Sequence, residues 1–372
     1  MSQTEKATGE SAVGILANPA SGRDIRRLVA QASVFPLAEK CRMITRMLSA
    51  LGAVGVGRVF LMPDLDGIAA RLRRSIEVNT VTHAPGVPPW PEVTFLDMPM
   101  ENGPADSVIA VERMVAEGVG AIVVLGGDGT HRLAAMVCDE VPITPLSTGT
   151  NNVFSEIREA TIAGLATGLV ATGRLPAAEV TVRNKALRVA IDGDDRDLAL
   201  VDVAISTEAW AGSKALWRPE TVSQVFVCFA EPDAIGLSSI AGLLHPVARH
   251  ASHGLRVDLG PPCTAATTVQ VPIAPGLITP VGVVGSQQIV FDEPHEVNAR
   301  QGVIALDGER EIEFARTDRV TVRLSRDGPR TIDISRVMAR AAQEGLLIGH
   351  SADADCPPQL ETGREHPGDT GT

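Results

Sequence analysis

The sequence contains no tyrosine and only four lysines, Lys6, Lys40, Lys185 and Lys214, so arginine supplies nearly all of its positive charge. Acidic residues outnumber basic ones, 45 against 33, which gives the 372 residues a formal net charge of −12. A surface that binds nucleic acid or an anionic membrane needs a clustered excess of positive charge. The balance therefore argues against both kinds of partner.

Paired cysteines are also absent. The five cysteines are scattered, without a CxxC pair and without the spacing of metal ligands. An odd number cannot pair completely within the chain, so we expect free thiols in a reducing compartment. The first ten residues, MSQTEKATGE, are polar and lack the apolar core of a signal peptide. We therefore expect a cytoplasmic protein.

A long uncharged stretch, residues 259–291, could be mistaken for a membrane segment. It holds five prolines and two adjacent glutamines, and a spanning helix tolerates these residues poorly. We predict short buried strands joined by turns here, and no membrane segment.

The pattern of apolar residues changes once along the chain. In residues 11–174, apolar runs such as AVGILA and AIVVL alternate with helical periods, which predicts an α/β domain with a parallel sheet covered on both faces. In residues 175–330, short alternating runs separated by turns predict an all-β domain. Residues 331–349 contain an amphipathic helix expected to pack on the first domain, and residues 350–372 form a polar tail predicted to be disordered.

The most informative segment is GGDGT, residues 126–130, between an apolar strand and a helix. Glycines let backbone N–H groups approach an anion, and the N-terminus of a helix favours negative charge. A carboxylate at Asp128 fits this site if it holds Mg²⁺ or an incoming hydroxyl group. The structural alternative is a tight turn with a capping residue. His131, the next residue, is expected to be a solvated residue at the start of the helix.

Two similar loops follow other predicted strands: NPASG, residues 18–22, and STGTNN, residues 147–152. Each alone is explained by an ordinary turn or a polar loop. Together, three small-residue loops at the ends of parallel strands predict a ligand site at one edge of the sheet. The Walker, Rossmann, zinc-protease and nucleophile-elbow motifs are absent.

These segments resemble the signature elements of the NAD kinase and diacylglycerol/sphingosine kinase superfamily. GGDGT is followed by a helix with two alanines, NPASG is similar to NPxSG, and GTNNVF is similar to GTxNDF. In the second domain PIAPGLITPVGVV, ALVDVAI and the Asp307–Glu309 triplet DGE resemble further family elements. The elements occur in the family order over residues 13–324. The chain looks most like the acetoin-catabolism protein X branch of ATP-NAD kinase-like proteins.

The resemblance implies an NAD kinase-like fold and ATP-dependent, Mg²⁺-dependent transfer of a phosphoryl group to a hydroxyl of NAD or a related acceptor, in acetoin or diol catabolism. It implies a nucleotide donor, a small-molecule or dinucleotide acceptor and a homo-oligomer. The implied catalytic residues are Asp128, which is also the metal ligand, and Glu309. The implied nucleotide- and phosphate-binding residues are Asn18, Ser21, Gly22, Gly126, Gly127, Gly129, Thr130, Thr148, Gly149, Thr150, Asn151 and Asn152. The implied acceptor-binding residues are Asp202, Ser238, Ser239 and Asp307.

The chain departs from the family pattern mainly where NAD kinases bind the dinucleotide. Val201 replaces an asparagine, Gly276 replaces a histidine, and Val153 replaces the aspartate of the lipid-kinase element. A lipid or small-polyol kinase, and an accessory protein that binds a nucleotide without transferring phosphate, remain alternatives. The Asp307-Gly308 pair also has a structural explanation, because a two-residue hairpin turn favours this dipeptide.

Overall fold

A computed structural model describes residues 11–19, 21, 35–82, 88–149, 152–208, 216 and 218–348. The predicted tail, residues 350–372, lies outside these residues. The first domain contains the elements β1 (Ala12–Ala17), α1 (Leu37–Ala53), β2 (Arg58–Leu61), α2 (Ile68–Thr82), β3 (Glu92–Phe95), α3 (Pro104–Ala116), β4 (Ala121–Gly126), α4 (Asp128–Val137), β5 (Ile143–Ser147), α5 (Ala160–Ala171) and α6 (Ala177–Val180).

Strands β1 to β5 form a parallel sheet in the order β3-β2-β1-β4-β5. The runs AVGILA and AIVVLG are buried at every position, because helices cover both faces of the sheet. The chain moves outward from β1 in one direction to β2 and β3, and in the other to β4 and β5. The ends of β1 and β4 therefore lie at the switch point where sheets of this kind bind ligands.

The small residues of α5 allow it to lie very close to α1. A Cβ atom added at Gly164 would lie 2.9 Å from the Cβ of Ala50, and one added at Gly168 would lie 2.3 Å from a methyl group of Val54. Glu159 caps α5 by accepting the backbone N–H groups of Thr161 and Ile162. Side chains larger than glycine would force these two helices apart and open the core between them.

The second domain is built almost entirely of antiparallel strands. The elements from residue 181 onward are β6 (Thr181–Arg183), β7 (Ala186–Ile191), β8 (Asp194–Ala199), β9 (Asp202–Ser206), β10 (Val222–Val227), α7 (Ser238–Leu244), β11 (His253–Gly260), β12 (Thr267–Ala274), β13 (Leu277–Val290), β14 (Pro294–Glu296), β15 (Gly302–Leu306), β16 (Glu309–Phe314), β17 (Val320–Ser325), β18 (Arg330–Ile332) and α8 (Ile334–Gln343). The large sheet has the order β12-β13-β11-β10-β9-β15-β16, and a smaller one has the order β14-β17-β7-β8. The fold class inferred from the sequence is confirmed.

Two strands that follow residue 174 belong to the first sheet rather than to the second domain. β18 lies parallel to β5, and β6 pairs antiparallel with β18 at the sheet edge. The chain then enters α8, whose Val337 and Ala341 are buried in the same apolar core as α1 and α5. The returning helix thus packs on the first domain, and β6 and β18 form the connection between the domains.

Three details differ from the sequence predictions. The uncharged stretch 259–291 forms long strands rather than short buried ones: β13 has 14 residues, and Ile278 and Val284 on it are 67% exposed. The four prolines of residues 79–91 predict a loop, but this stretch begins inside α2, which continues to Thr82. Neither α2 nor β3 was predicted.

Within the described ranges, no helix is long and apolar enough to cross a membrane.

Candidate phosphate site at the switch point

The GGDGT segment ends β4 and begins α4. Gly127 is the N-cap of α4 and has an extended conformation, while Asp128 is the first helical residue. Gly126 lies so close to the following turn that an added Cβ would be 2.5 Å from the Cβ of Thr130. The glycines therefore bring the backbone of the strand directly against the start of the helix, where the dipole and the first N–H groups favour an anion.

The three predicted loops meet at this point. The amide of Asn18 donates to the hydroxyl of Thr130 at 3.0 Å, and the hydroxyls of Ser21 and Thr148 lie 2.8 Å apart. The backbone N–H of Thr148 donates to the carbonyl of Gly126. The loops after β1, β4 and β5 are thus joined by direct hydrogen bonds, although 112 and 127 residues separate the paired positions Asn18–Thr130 and Ser21–Thr148.

The amide of Asn152 extends this network. It donates to the hydroxyl of Ser147 at 2.7 Å, and the Ser147 hydroxyl in turn donates to the carbonyl of Gly149. A Cβ added at Gly127 would lie 3.1 Å from Oδ1 of Asn152. The predicted site residues Gly22, Thr150 and Asn151 lie outside the described residues.

Lys40 was missed by the sequence analysis. Its ammonium group donates to the carbonyl oxygens of Asn18 at 2.7 Å and of Ser21 at 2.8 Å, and to the Ser21 hydroxyl at 2.8 Å. The side chain is completely buried, which is rare for lysine unless the charge is well paired. Lys40 on α1 therefore fixes the loop after β1. The scarcity of lysine in the sequence was the only available signal.

The carboxylate of Asp128 is buried and contacts the segment that follows the third loop. It accepts the backbone N–H groups of Val153 at 2.7 Å, Phe154 at 3.2 Å and Ser155 at 3.4 Å. Arg249, from the second domain, donates to the carbonyl groups of Val153 and Phe154 and pairs with Glu231. The segment 153–155 is therefore held from both sides, by Asp128 through its N–H groups and by Arg249 through its carbonyls.

The second domain places Glu309 beside the start of α4. A methyl group in place of the hydrogen of Gly129 would lie 3.3 Å from Oε1 of Glu309. Nearby, Arg132 of α4 is almost fully buried and pairs with Asp197 at 2.6 Å and with Glu311 at 3.0 Å. Burial opposes the charge of this guanidinium, but the two carboxylates more than offset that effect and raise the pKa of Arg132. These ion pairs connect the two domains across the site.

Asp307 lies in the hairpin turn between β15 and β16. Asp307 and Gly308 both have positive φ, 49° and 80°, as a type I′ turn requires. The carboxylate accepts the backbone N–H groups of Leu200, Val201 and Asp202. Both of its oxygens are thus used inside the protein, which favours the structural explanation, and its role in acceptor binding stays a prediction. Burial, together with the nearby charge of Asp202, raises the pKa of Asp307 to about 8.

This pKa predicts a particular dependence of stability on pH. Between about pH 4 and about pH 8 the folded protein keeps a proton on Asp307 that the unfolded chain has released. The free energy of unfolding should therefore fall as pH rises through this range. Asp307→Asn cannot titrate, so urea unfolding across the range should give a flatter curve for the variant.

The wild-type curve alone does not isolate Asp307, because His131 changes the free energy of unfolding with pH in the opposite direction. Burial lowers the pKa of His131 to about 4, so the unfolded chain binds the extra proton below about pH 6.5 and the stability due to this group is lost as pH falls. Equal slopes for the wild-type protein and Asp307→Asn would contradict the raised pKa of Asp307.

The structure corrects one sequence expectation, for His131, and shows that several acceptor candidates are buried. His131 is completely buried rather than solvated, with its ring nitrogens 2.7 Å from the carbonyl oxygen of Gly127 and 3.2 Å from that of Val124. The acceptor candidates Ser238 and Ser239 are fully buried in α7, and Asp202 is buried at the start of β9. Val201, which replaces an asparagine of the family pattern, belongs to the apolar core between the domains.

An open cavity of about 370 Å³ lies beside the start of α4, within the size range of small-molecule sites. Its lining includes Asn18, Gly129, Thr130, Arg132, Glu309 and Glu311. No group of three or more histidine, cysteine, aspartate or glutamate side chains among the described residues is arranged to hold a metal ion. Mg²⁺ commonly binds through one or two carboxylates together with substrate phosphates. Glu309 lines this cavity, and Asp128 precedes the lining residue Gly129, with both of its carboxylate oxygens accepting backbone N–H groups.

Comparisons with known proteins place the chain in a family. Residues 13–175 match the family model for the ATP-NAD kinase N-terminal domain, and residues 185–327 match that for the acetoin catabolism protein X C-terminal domain. A solved Bacillus anthracis (strain Sterne) structure, provisionally named a diacylglycerol kinase, is 13% identical with a TM-score of 0.43, covering 88% of this chain and 98% of its own. Acetoin catabolism protein X from Cupriavidus necator is 47% identical over 339 residues, which cover 90% of this chain and 93% of that protein. The chain belongs to the acetoin catabolism protein X family, and its first domain is an ATP-NAD kinase domain.

Proposed function

We propose that this protein transfers a phosphoryl group from ATP, bound with Mg²⁺, to a hydroxyl group of NAD or a related nucleotide-like acceptor. The observation that carries the proposal is the meeting of NPASG, GGDGT and STGTNN at the switch point, joined by the Asn18–Thr130 and Ser21–Thr148 contacts. A glycine N-cap and a helix start beside an open cavity suit a phosphate group. The relative's name supports a place in acetoin catabolism.

Each part of the site has a distinct role in this proposal. Asn18, Ser21, Thr130 and Thr148 position the loops, and the backbone at Gly127 and Gly129 holds donor phosphates. Mg²⁺, when bound, neutralises phosphate charge, and Asp128 is the side chain that would hold it. The carboxylate of Glu309 would accept the proton of the attacking hydroxyl. Catalysis of phosphoryl transfer depends mainly on positioning the reacting groups and on stabilising the charge of the transition state.

A small polyol acceptor is the second candidate. Two of the positions that the family resemblance assigns to the acceptor, Ser238 and Ser239, are fully buried, and so is Val201, which replaces an asparagine of the NAD kinase pattern. The cavity of about 370 Å³ at Glu309 lies next to the proposed donor phosphates. A small diol needs fewer of the dinucleotide contacts that these buried residues no longer offer.

The test is a transfer assay with the purified protein, γ-labelled ATP and Mg²⁺, using NAD, NADH, diacylglycerol and small diols as acceptors. We expect labelled NAD or labelled diol, and no product when Mg²⁺ is omitted. A labelled lipid would move the assignment to a lipid kinase. ATP binding without any labelled acceptor would favour the accessory-protein alternative. We also propose that the protein is cytoplasmic and a homo-oligomer.

A further inference from the structure

A second, larger cavity lies away from the GGDGT segment, between the two domains. Its volume is about 750 Å³, and its walls come from β5, β6, β18, the segment 154–158 and the segment 249–252. It shares no lining residue with the smaller cavity at Glu309. A cavity of this size can enclose a ligand as large as a nucleotide.

The lining of this cavity is strongly basic in a protein that is acidic as a whole. Its charged residues are Arg158, Arg183, Lys185, Arg249, Arg326 and Arg336, against only Glu156 and Asp333. The lining therefore carries a formal charge of about +4, whereas the whole chain carries −12. Basic side chains concentrated around one concave site attract a small anion and raise its local concentration.

Some of these charges are committed elsewhere and others are accessible. Arg249 is held by Glu231 and by the backbone of 153–154, and Arg183 pairs with Glu140. Arg158 forms an ion pair with Glu156, and Arg336 forms one with Asp333. The side chains of both pairs are partly exposed to solvent. Such pairs contribute little to stability, so a ligand can replace the carboxylate at small cost.

Arg326 is exposed and stacks on an aromatic ring. Its guanidinium carbon lies 4.1 Å from the centre of the Phe291 ring, and within the described residues no carboxylate pairs with it. Stacking on an aromatic ring fixes the plane of a guanidinium group while its N–H groups remain free to bind. The N–H fork of arginine matches the oxygen atoms of a phosphate group.

Lys185 adds a buried positive charge at the base of this cavity. It donates to the carbonyl groups of Ala248, Ala251 and His253, and so fixes the wall segment that carries Arg249. Burial lowers the pKa of Lys185 to about 8, which leaves it mostly protonated at neutral pH. Val182, Ile332 and Ile334 add apolar surface to the lining, suited to the non-ionic body of a ligand.

We propose that the inter-domain cavity bounded by Arg158, Arg326 and Arg336 is a binding site for a nucleotide-sized organic phosphate, separate from the GGDGT site. The arginines bind the phosphate group, and the apolar surface at Val182 and Ile332 contacts the organic part. This site does not depend on the proposed transfer reaction.

The test is calorimetric titration of the full-length protein with AMP, adenosine and citrate, in the absence of Mg²⁺. We expect AMP to bind, adenosine to bind at least about tenfold more weakly, and the double substitution Arg326→Gln, Arg336→Gln to weaken AMP binding at least about tenfold. Arg74→Gln, which removes an exposed arginine on α2, is the matched control and should leave AMP binding unchanged.

Three outcomes overturn the proposal: no AMP binding, equal AMP affinity in the double variant, or binding of citrate in preference to AMP. Thermal melting of each variant verifies that it is folded. The same titration with Glu309→Gln separates this site from the transfer reaction, because Glu309 lines the smaller cavity and not this one, and AMP binding should persist there even if the proposed kinase activity is absent.

Discussion

Asp128→Asn is expected to lower phosphoryl transfer about a thousandfold or more, equivalent to roughly 4 kcal/mol of activation free energy. The substitution removes the negative charge beside the proposed donor phosphates and replaces one carboxylate oxygen by an N–H donor. Transfer of label from ATP to the best acceptor is the measurement. Retention of more than about a tenth of the rate would exclude a catalytic role for Asp128.

The structure changes what this variant should do to stability. The position of Asp128 in a glycine-rich loop predicts little role in packing. Its carboxylate instead accepts three backbone N–H groups from Val153, Phe154 and Ser155, and an amide nitrogen turned toward them would leave donors unpaired. Hydrogen bonds to a charged group contribute about 1.5–3 kcal/mol each, so we expect a loss of about 1–3 kcal/mol in the free energy of unfolding.

Arg249→Met separates the two roles of Asp128. This substitution removes the hydrogen bonds from Arg249 to the carbonyl groups of Val153 and Phe154. It therefore loosens segment 153–155 but leaves the Asp128 carboxylate unchanged. We expect a comparable loss of stability with more than about a tenth of the transfer rate retained. Equal loss of activity in both variants would mean that the position of segment 153–155 matters, rather than the carboxylate.

Lys40→Met is expected to lower the free energy of unfolding by about 2–4 kcal/mol and to weaken ATP binding. Methionine keeps most of the buried aliphatic volume but removes the ammonium group. The carbonyl groups of Asn18 and Ser21, which Lys40 now binds, would be left without this donor. The loop after β1 should then lose its fixed position beside Thr130. Urea unfolding and calorimetric titration with ATP measure the two effects.

Arg42→Met is the matched control on the same helix. The Arg42 side chain is 71% exposed and pairs only weakly with Glu39, at 3.5 Å. Removing such a surface charge should change stability by less than about 0.5 kcal/mol and leave ATP affinity unchanged. If Lys40→Met behaved like Arg42→Met, the ammonium group would not be what holds the loop.

Two buried strands of the first domain, β1 and β4, followed from local sequence. Continuous apolar runs at AVGILA and AIVVL predicted buried strands, and both strands lie where the runs do. The ends of these strands also followed from the sequence, because an Asn-Pro pair ends the first apolar run and a Gly-Gly pair ends the second. Since parallel strands present their carboxyl ends at one edge of the sheet, the proximity of NPASG, GGDGT and STGTNN could be predicted from the sequence alone.

Contacts between distant charged residues could not be deduced in this way. The sequence gives no reason why Arg132 should pair with Asp197 and Glu311, or why Lys40 should bind the loop at Asn18. Such contacts depend on how strands pair in the second sheet and how the two domains meet. A charge run along a strand looks the same whether that face is solvated or covered.

What the sequence determined by itself was therefore the fold class, the family resemblance and the loops that meet at the switch point, because each is encoded in residues that are neighbours in the chain. The tertiary structure alone decided which polar side chains are available. In the folded protein Ser238 and His131 are buried, as is the apolar Val201. The carboxylate of Asp307 accepts three backbone N–H groups, and arginines from distant segments line the second cavity. The physical reason is that solvent access and charge environment depend on packing between segments far apart in sequence.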